Sequence, residues 1–375
     1  MRTVLIKGYY GYNNLGDDFL LYSILDTLNS IGTFNVIVVS AGDEYEDLFY
    51  KFSNLSCKIF PLSKWKKFTK IMCIAQCDYW IIGGGGLFPS EEKANIPNLK
   101  KEISIAQRFG KKVCIYGIDI NSIDKKENMK AWFEISKLVS FIVCRNDKTR
   151  RMLGAIGCRN VIRTADITFG LETEKDLNKN SGAEVKNKIG IGDKKFVLWS
   201  IPMLWSSDDM RINHNQSRYW KLIETLQMVA NSKELCKYTN VFLPFFYEKD
   251  IGLYRDLVKG INGNYLLLEE KYGLSYEEKR VLFKEAEFCI CMRFHAAMFS
   301  LFYKRPALYI SYSDKTSDVI KECGLRSALC EYGFSNSENF YREFDLDYND
   351  VISKIRKILS GGGRGTKMYV LPVIN

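Results

Sequence analysis

Short apolar runs alternate with amphipathic stretches through the first half of the chain. The apolar runs have the length of buried strands, whereas in the stretches between them apolar residues recur at helical spacing. The predicted strands are residues 3–6, 36–40, 79–82, 113–116, 141–144 and a short one near Val161. The predicted helices follow Asp18 and lie within 61–76, 103–108, 132–138 and 148–153. This alternation predicts a parallel sheet covered by helices on both faces.

The same pattern starts again after a change in composition. Residues 172–195 are rich in lysine, glutamate, asparagine and glycine, which is typical of a domain boundary. Strands are then predicted at 196–200, 241–243, 289–292 and 307–310, with helices near 219–229, 253, 276–283, 295–299, 315–323 and 351–359. We therefore predict an α/β protein of two Rossmann-like, doubly wound parallel-sheet domains facing a cleft, at 1–180 and 195–345, followed by a terminal helix and tail at 346–375. This arrangement resembles the GT-B architecture, an analogy that implies a cleft but no chemistry.

Length and charge narrow the choice of partners. At 375 residues the chain is too long for one ordinary core. Its net charge of +10 is compatible with nucleic acid, anionic lipid or phosphorylated small molecules. The sequence contains no known nucleic-acid-binding module, so we expect no nucleic acid partner.

Cysteine usage and the start of the chain indicate the compartment. The 11 cysteines are odd in number, and most lie inside strand or helix patterns without the paired CxxC spacing of a zinc site. We predict reduced core cysteines, and no metal or other cofactor. The chain opens directly into a strand, and no apolar run reaches membrane-spanning length. We expect a cytoplasmic protein, with peripheral contact to the inner membrane face left open.

The most informative stretch is 289–299, where an apolar strand ends at Arg293 and a helical pattern opens at His295. Open α/β sheets bind ligands at the carboxyl ends of strands, where a helix N-terminus also offers N–H groups to an anion. A lone histidine beside apolar residues would more often be a core group, but the arginine two positions earlier needs an anionic partner. We therefore predict a site that contains both side chains.

Two glycine-rich turns mark the first half. The glycines at 8, 11 and 16 do not have the spacing of a dinucleotide-binding loop. Asp17 and Asp18, at the start of the following helix, suit hydroxyl groups better than phosphates; alternatively, they cap the helix. Four consecutive glycines at 83–86 follow the third strand, and we expect a ligand or another backbone to approach them.

The helix predicted within 61–76 carries lysines and no acid. It could be a basic amphipathic helix that rests on anionic lipid, or a sheet-packing helix with a solvated lysine face, which is slightly favoured. The apolar residues at helical spacing are Leu62, Trp65, Phe68 and Met72, and the lysines between them are Lys64, Lys66, Lys67 and Lys70.

Together these motifs resemble the polysaccharide pyruvyl transferase family. The resemblance spans about residues 3–325 in the expected order, and it implies a two-domain GT-B-type enzyme. Such an enzyme transfers pyruvate from phosphoenolpyruvate onto two hydroxyls of a sugar in a cell-surface glycan or its lipid-linked precursor, forming a cyclic ketal. The matching positions are residues 7–18, the glycine run at 82–87, Arg145-Asn146-Asp147, the pair Arg293 and His295, and Tyr312, Asp314 and Lys315.

The resemblance also implies roles for individual residues. Arg293 would bind the carboxylate or phosphate of the donor. His295 would act as the general acid that protonates the methylene carbon. Further donor-binding residues would be Phe294, Lys315 and Arg211. The acceptor-binding residues would be Asn14, Asp17, Asp18, Gly84 and Gly85.

Two positions depart from the family pattern. The arginine–aspartate pair of the first domain appears here as Arg145-Asn146, with the aspartate one position later. In the family an arginine usually follows the strand that opens the second domain, whereas this chain has Ile201 there. Another cation, such as Arg211 or Arg218, is expected to replace it, while His214 is interpreted as an exposed loop residue. Two other functions stay open: a GT-B glycosyltransferase with a nucleotide-sugar donor, and a non-catalytic glycan-binding protein.

Overall fold

The chain forms two compact units, one up to Leu171 and one from Glu172 onward, each with its own hydrophobic core. A computed structural model describes residues 1–42, 45–88, 95–120, 122–170, 181–206, 208–211, 213–331 and 346–362. Among the helices of these residues, none combines the length and the apolar character needed to cross a membrane. The predicted α/β class is confirmed in both units, since every strand pairing is parallel.

The first unit is built on a seven-stranded parallel sheet in the order β3-β2-β1-β4-β5-β6-β7. The strands are β1 (Arg2–Lys7), β2 (Phe34–Ser40), β3 (Leu55–Pro61), β4 (Tyr79–Phe88), β5 (Lys112–Ile120), β6 (Ile142–Cys144) and β7 (Val161–Arg163). The helices are α1 (Leu15–Ile31), α2 (Glu46–Phe49), α3 (Lys67–Gln76), α4 (Ile96–Arg108), α5 (Lys126–Leu138) and α6 (Asp147–Ala155).

The second unit has a six-stranded parallel sheet in the order β10-β9-β8-β11-β12-β13. Its strands are β8 (Phe196–Ser200), β9 (Thr239–Phe242), β10 (Tyr265–Leu267), β11 (Phe288–Cys291), β12 (Ala307–Ser311) and β13 (Leu329–Glu331). Its helices are α7 (Ser181–Lys188), α8 (Asn213–Ala230), α9 (Tyr247–Val258), α10 (Tyr276–Glu285), α11 (Phe294–Phe302), α12 (Asp314–Glu322) and α13 (Tyr348–Lys357).

Both sheets reverse their strand order beside the first strand of the unit. In the first unit β1 lies between β2 and β4, and in the second unit β8 lies between β9 and β11. Open α/β sheets bind ligands outside the carboxyl ends of the strands at such a reversal. The loops after β1 and β8, with the ends of β4 and β11, are therefore the places to look for a site.

Three strands escaped the sequence analysis because each lies at or near a sheet edge. β3 alternates exposed and partly buried residues, so it has no continuous apolar run. β10 and β13 have only three residues each. The glycine run is also corrected: it is no turn, because β4 continues to Phe88 and pairs with β5 at Gly83 and Gly85.

The segment predicted as a boundary and the predicted separate C-terminus both contribute to the second unit. Helix α7 lies inside the predicted linker, and Lys188 at its end pairs with Glu278 of α10 at 2.8 Å. Helix α13 buries Val351, Ile352 and Ile355 in the core of the second unit. The predicted tail after it lies outside the described residues. Each of the 11 cysteines is a free thiol, and all but Cys236 are buried or partly buried.

We expect Ile355→Ala to destabilise the second unit by roughly 2–5 kcal/mol, because it removes a fully buried side chain of α13 and leaves a cavity. The measurement is urea unfolding followed by circular dichroism. Lys357→Ala, on the exposed face of the same helix, is the matched control and should change the free energy of unfolding by less than about 0.5 kcal/mol. Equal effects of the two changes would mean that α13 is not part of this core.

Candidate functional site

Arg293 stands at the strand-order reversal of the second unit. The N–H groups of Met292 and Arg293 both donate to the carbonyl oxygen of Ser200, at 2.9 and 3.2 Å, which joins the ends of β11 and β8. Arg293 is also the N-cap residue of α11. The sequence prediction of a strand that ends in an arginine and leads directly into a helix is therefore confirmed, and it places a cation at the carboxyl edge of the sheet.

Asp250, in the first turn of α9, holds the guanidinium group of Arg293. Nη2 of Arg293 donates to Oδ1 of Asp250 at 2.5 Å. Asp250 is completely buried and also accepts the N–H groups of Met203 and Phe246, each at 3.0 Å. A carboxylate with three donors has one orientation, so the arginine bound to it is also oriented. Nε of Arg293 is buried and has no hydrogen-bond partner within the described part of the chain.

The charge of Arg293 is maintained despite its burial. Burial lowers the pKa of Arg293, but the neighbouring Asp250 and Tyr312 outweigh this effect, and its pKa is raised. Burial also raises the pKa of the Tyr312 phenol, which Arg293 partly offsets. At neutral pH the edge of the second sheet therefore presents a permanent cation beside an uncharged hydroxyl group.

Three further predicted donor residues meet at the start of α11: Phe294 and His295 belong to this helix, and Lys315 lies in the first turn of α12. Nζ of Lys315 lies 4.1 Å from the centroid of the Phe294 ring, a cation–π contact. The rings of Phe294 and His295 meet edge to face with centroids 5.3 Å apart. The first helical hydrogen bond of α11 is donated by the N–H of Ala297 to the carbonyl oxygen of Arg293, at 3.1 Å. The N–H groups before it have no intrahelical acceptor. Arg293, Phe294, His295 and Lys315 thus form one cluster, which we term the α11 cluster.

The second position that departs from the family pattern belongs to the hydrophobic core. Ile201 is completely buried, and its N–H donates to the Tyr254 hydroxyl at 2.6 Å. The Tyr254 hydroxyl donates in turn to the carbonyl oxygen of Leu243 at 3.3 Å. The side chain at 201 therefore packs under the loop, and no cation is held at this position.

Arg211 lies in a single 3-10 turn, Asp209–Arg211, between β8 and α8. It pairs with Asp208 at 3.3 Å, and 81% of its side chain is exposed. No contact between Arg211 and the α11 cluster is found in the ranges that the structure describes, and its donor-binding role stays a prediction. His214 lies in the first turn of α8, so its interpretation as a loop residue is corrected; its side chain lies outside the described part.

In the first unit, Tyr10 packs the loop after β1 against the glycine run. Tyr10 is buried, and its hydroxyl donates to the carbonyl oxygen of Gly83 at 2.5 Å. A Cβ atom at Gly84, where φ is +90°, would lie 2.6 Å from Oη of Tyr10, and one at Gly8 would lie 2.3 Å from its ring. Burial raises the pKa of Tyr10 well above its usual value, so the hydroxyl stays a donor. Two groups of this chain therefore approach the glycine run: the side chain of Tyr10 at Gly84 and, as expected of another backbone, the carbonyl of Tyr116 at Gly83.

Asp17 and Asp18 are buried in the first turn of α1, with 6% and 3% of their surface exposed. The side-chain amide of Asn14, the N-cap residue, donates to Asp17. Asp18 accepts from the Tyr45 hydroxyl, which itself accepts the N–H of Gly11 at 2.5 Å. Both aspartates hold the loop and lie at the positive end of the helix, but the capping alternative is corrected, because Asn14 and neither aspartate is the N-cap residue. Their role as acceptor ligands stays a prediction, as do those of Asn14, Gly84 and Gly85.

Arg145 is enclosed by carboxylates of neighbouring strands. Its Nε donates to Asp119 of β5 at 2.5 Å, and its Nη1 donates to Asp166, beyond β7, at 2.6 Å. Burial lowers the pKa of Arg145, but the two carboxylates outweigh it and the pKa is raised. Asn146 also donates to Asp119 at 2.6 Å. The Arg145-Asn146 motif therefore joins the ends of three strands and belongs to the scaffold of the first unit.

Sequence reasoning missed Asp250 and Tyr10. Asp250 lies in the first turn of a helix directly after a buried strand, the same kind of position that singled out Arg293. Tyr10 lies between Gly8 and Gly11, where small neighbours leave room for a ring. Neither signal names its partner, because both contacts join segments far apart in sequence.

We expect Gly84→Ala to destabilise the first unit by about 1–3 kcal/mol, from the positive φ and from the contact with Tyr10. Tyr10→Phe removes the hydroxyl and its hydrogen bond, which costs about 1 kcal/mol. The double variant should lose less stability than the sum of the two single losses, because removal of the Tyr10 hydroxyl relieves its contact with the new Cβ at position 84. The measurement is urea unfolding of all three variants.

Gly110→Ala is the matched control for this cycle. Gly110 also has a positive φ of +68°, but a Cβ there meets nothing within 4 Å. The stability lost in Gly110→Ala should come from backbone strain alone, and it should add to the loss caused by Tyr10→Phe. Additivity in the Gly84 cycle as well would contradict the packing of Tyr10 on the glycine run.

Comparison with known proteins identifies the fold and the family. A family model described as polysaccharide pyruvyl transferase matches residues 14–314. A search of curated proteins finds no significant match. Among solved structures, UDP-GlcNAc 2-epimerase from Methanocaldococcus jannaschii is similar with a TM-score of 0.61 and 14% identity, covering 96% of this chain and 93% of that chain.

Two further structures share the fold. Anabaena HepE in complex with UDP and glucose has a TM-score of 0.59 and 10% identity over 98% of this chain and 92% of that chain. ADP-heptose LPS heptosyltransferase II from E. coli has a TM-score of 0.51 and 10% identity over 97% of this chain and 100% of that chain. Likeness at such identities confirms a GT-B-type two-domain α/β fold and carries no chemistry.

The family match extends over both units. It begins at Asn14, the N-cap residue of α1 at the end of the loop that Tyr10 packs, and ends at Asp314, after Arg293 and His295. It covers well over half of the chain, with the motifs in the order expected from the sequence. The chain therefore belongs to the polysaccharide pyruvyl transferase family.

Proposed function

We propose that this protein transfers pyruvate from phosphoenolpyruvate onto two hydroxyl groups of one sugar, forming a cyclic ketal and releasing phosphate. Family membership supports a transferase of polysaccharide biosynthesis. The observation that carries the choice of donor is the α11 cluster, where an oriented arginine, a lysine and a histidine adjoin. A small trianion needs concentrated positive charge, and these residues supply it.

The donor binds through groups that the protein itself leaves available. Asp250 accepts from Nη2 of Arg293, whereas the buried Nε has no acceptor in the described segments. A carboxylate or phosphate oxygen would satisfy Nε and an adjacent Nη group together. The first N–H groups of α11 add donors and a positive dipole end to the same place. Lys315, held over Phe294, supplies a second positive charge.

His295 is the proposed general acid. Transfer of its proton to the methylene carbon makes that carbon a methyl group and the adjacent carbon electrophilic. The first sugar hydroxyl forms a bond to this carbon, the carbon–oxygen bond to phosphate breaks, and the second hydroxyl closes the ring. The two hydroxyl protons balance the methyl group and the hydrogen phosphate. Charge is conserved, because the trianion becomes one carboxylate and one dianionic phosphate.

The acceptor is proposed to contact the loop after β1. Asp17 and Asp18 are buried, so their proposed contribution is to hold the loop, with Asn14, Gly84 and Gly85 beside the sugar. Tyr9 is a further candidate: its ring stacks on Tyr12 with centroids 4.1 Å apart and stays 37% exposed. A rigid, half-exposed aromatic ring offers a large contact area to a sugar at small entropic cost.

The proposed acceptor is a polymeric or lipid-linked glycan, and the proposed location is the cytoplasm, where phosphoenolpyruvate is supplied. A glycosyltransferase that uses a nucleotide-sugar donor is the second candidate. The observation in its favour is that Anabaena HepE, which shares the fold, has been solved with UDP and glucose. At 10% identity this likeness shows the fold alone, so the donor is decided by direct binding.

We expect phosphoenolpyruvate to stabilise the protein against heat, and Arg293→Ala to abolish this stabilisation. At about 100 times its dissociation constant a ligand adds about 2.7 kcal/mol to the free energy of unfolding, which is visible as a higher melting temperature. Arg255→Ala, an exposed arginine of the same unit, is the matched control and should keep the shift. Inorganic phosphate is measured in parallel, because it tests how much of the binding comes from the phosphate alone.

No shift with phosphoenolpyruvate, together with a clear shift with UDP or a nucleotide sugar, would favour the glycosyltransferase. Glycan binding without any turnover of phosphoenolpyruvate would favour a non-catalytic protein. Arg211→Ala belongs in the same series: loss of the shift there would assign Arg211 to the donor site, and a retained shift would exclude it.

His295→Ala should lower kcat by roughly 10²–10⁴-fold, the range of general acid catalysis, while the thermal shift with phosphoenolpyruvate is largely kept. The assay is release of phosphate from phosphoenolpyruvate in the presence of an acceptor glycan. The second histidine of the chain, His214, provides the control variant His214→Ala, which should retain activity. Unchanged turnover in His295→Ala would remove this residue from the mechanism.

A further inference from the structure

Helix α3 exposes large apolar side chains. Phe68 is 75% exposed and Met72 is 47% exposed. They are four residues apart and therefore lie on one face of the helix. Leu62 and Trp65, which precede them in the same apolar pattern, pack against the core of the first unit. Leu62 and Trp65 therefore belong to the core of the first unit, whereas Phe68 and Met72 are exposed.

Unpaired lysines accompany these two side chains. Lys64, Lys66 and Lys67 are exposed, as is Lys58 on β3, and none forms an ion pair with an acid of the described residues. The sequence from 55 to 77 contains no acid at all. Phe68, Met72 and these four lysines are termed the α3 surface below.

Lys70 is separate from this surface. It pairs with Glu102, which is buried and also binds Lys7 at 3.2 Å. Glu102 thus pairs with Lys7 and Lys70, and it does not neutralise the lysines of the α3 surface. The sequence analysis grouped Lys70 with Lys64, Lys66 and Lys67, and the structure assigns it to the interior face.

The α3 surface begins at the carboxyl ends of the strands of the first sheet, where the candidate acceptor loop also lies. Pro61, the last residue of β3, is in register with Ser40, the last residue of β2. β1, the next strand, ends at Lys7, and Nζ of Lys7 lies 5.2 Å from the Trp65 ring centroid. Carboxyl ends of parallel strands share one edge, so the start of α3 and the loop with Tyr9 lie on the same side of the first unit.

We propose that the α3 surface docks on an anionic lipid bilayer, with Phe68 and Met72 in the headgroup region and the lysines on lipid phosphates. Exposed apolar side chains framed by lysines, on a stretch without acids, are the combination that an amphipathic helix presents to an anionic bilayer surface. The inference deepens the proposed function, since it makes a lipid-linked glycan the acceptor and brings its carrier to the acceptor loop.

The test is flotation of the full chain with vesicles of phosphatidylcholine alone or with about one third phosphatidylglycerol. We expect binding only to the anionic vesicles, weaker at high salt because the attraction is screened. The charge variant K64Q/K66Q/K67Q should reduce binding at least about tenfold, since each lysine near an anionic surface contributes about 1 kcal/mol, or roughly fivefold. The apolar variant F68S/M72S should also reduce vesicle binding, at low salt and at high salt alike.

The matched control is K126Q/K130Q/K137Q, which removes the same charge from exposed positions of α5 in the same unit. It should bind as the unchanged protein does. Vesicle flotation needs no donor or turnover, so its result is independent of the thermal shift with phosphoenolpyruvate. Circular dichroism and urea unfolding check that the variants fold.

No binding to anionic vesicles would overturn the proposal. Equal loss in the α5 control would also overturn it, because the effect would then come from net charge. Binding to an RNA or an acidic peptide without binding to vesicles would assign the α3 surface to a macromolecule of another class and would likewise overturn it.

Discussion

The reversal of strand order in each parallel sheet is the constraint on which both candidate sites depend. Parallel pairing brings all carboxyl ends of the strands to one edge, and the connections on either side of the reversal run in opposite directions. The loops after neighbouring strands therefore separate there and leave room for a ligand. In the first unit the reversal lies between β1 and β4, at Tyr10 and Gly84; in the second it lies between β8 and β11, at Arg293.

Three buried or partly buried charges near these edges are accompanied by an opposite charge. Removing an ion from water costs several kcal/mol, and the attraction of a partner offsets this only when the geometry is good. Within the described residues, Arg145 pairs with two carboxylates, Glu102 with two lysines, and Arg293 with Asp250. In the last pair, Nε of the arginine is a buried donor without an acceptor in the described residues. A fixed guanidinium with donor capacity left over is prepared for an anion before the anion arrives.

Close packing has the corresponding role in the first unit. Tyr10 fills the space that Gly8 and Gly84 leave, and Tyr45 and Asn14 hold the two aspartates of α1 in place. The loop that would meet a sugar is thereby fixed from within, and Tyr9 and Tyr12 stack at its exposed side. The α3 surface is the contrast: Phe68 and Met72 are large and apolar, 75% and 47% exposed, and lie beside exposed lysines.

The sequence by itself determined the α/β class, most strands and helices, and the strand–Arg293–helix junction, because these depend on local periodicity. It also carried the family motifs at Asn14 and His295. Only the tertiary structure decided that Tyr10 meets Gly83, that Asp250 orients Arg293, and that Phe68 faces outward while Trp65 packs inward. The edge strands, and the packing of the predicted helix α13 into the core of the second unit, were likewise settled there. The reason is physical: which face of an element is buried, and which distant charge lies beside an arginine, depend on strand order, and strand order is a property of the whole sheet.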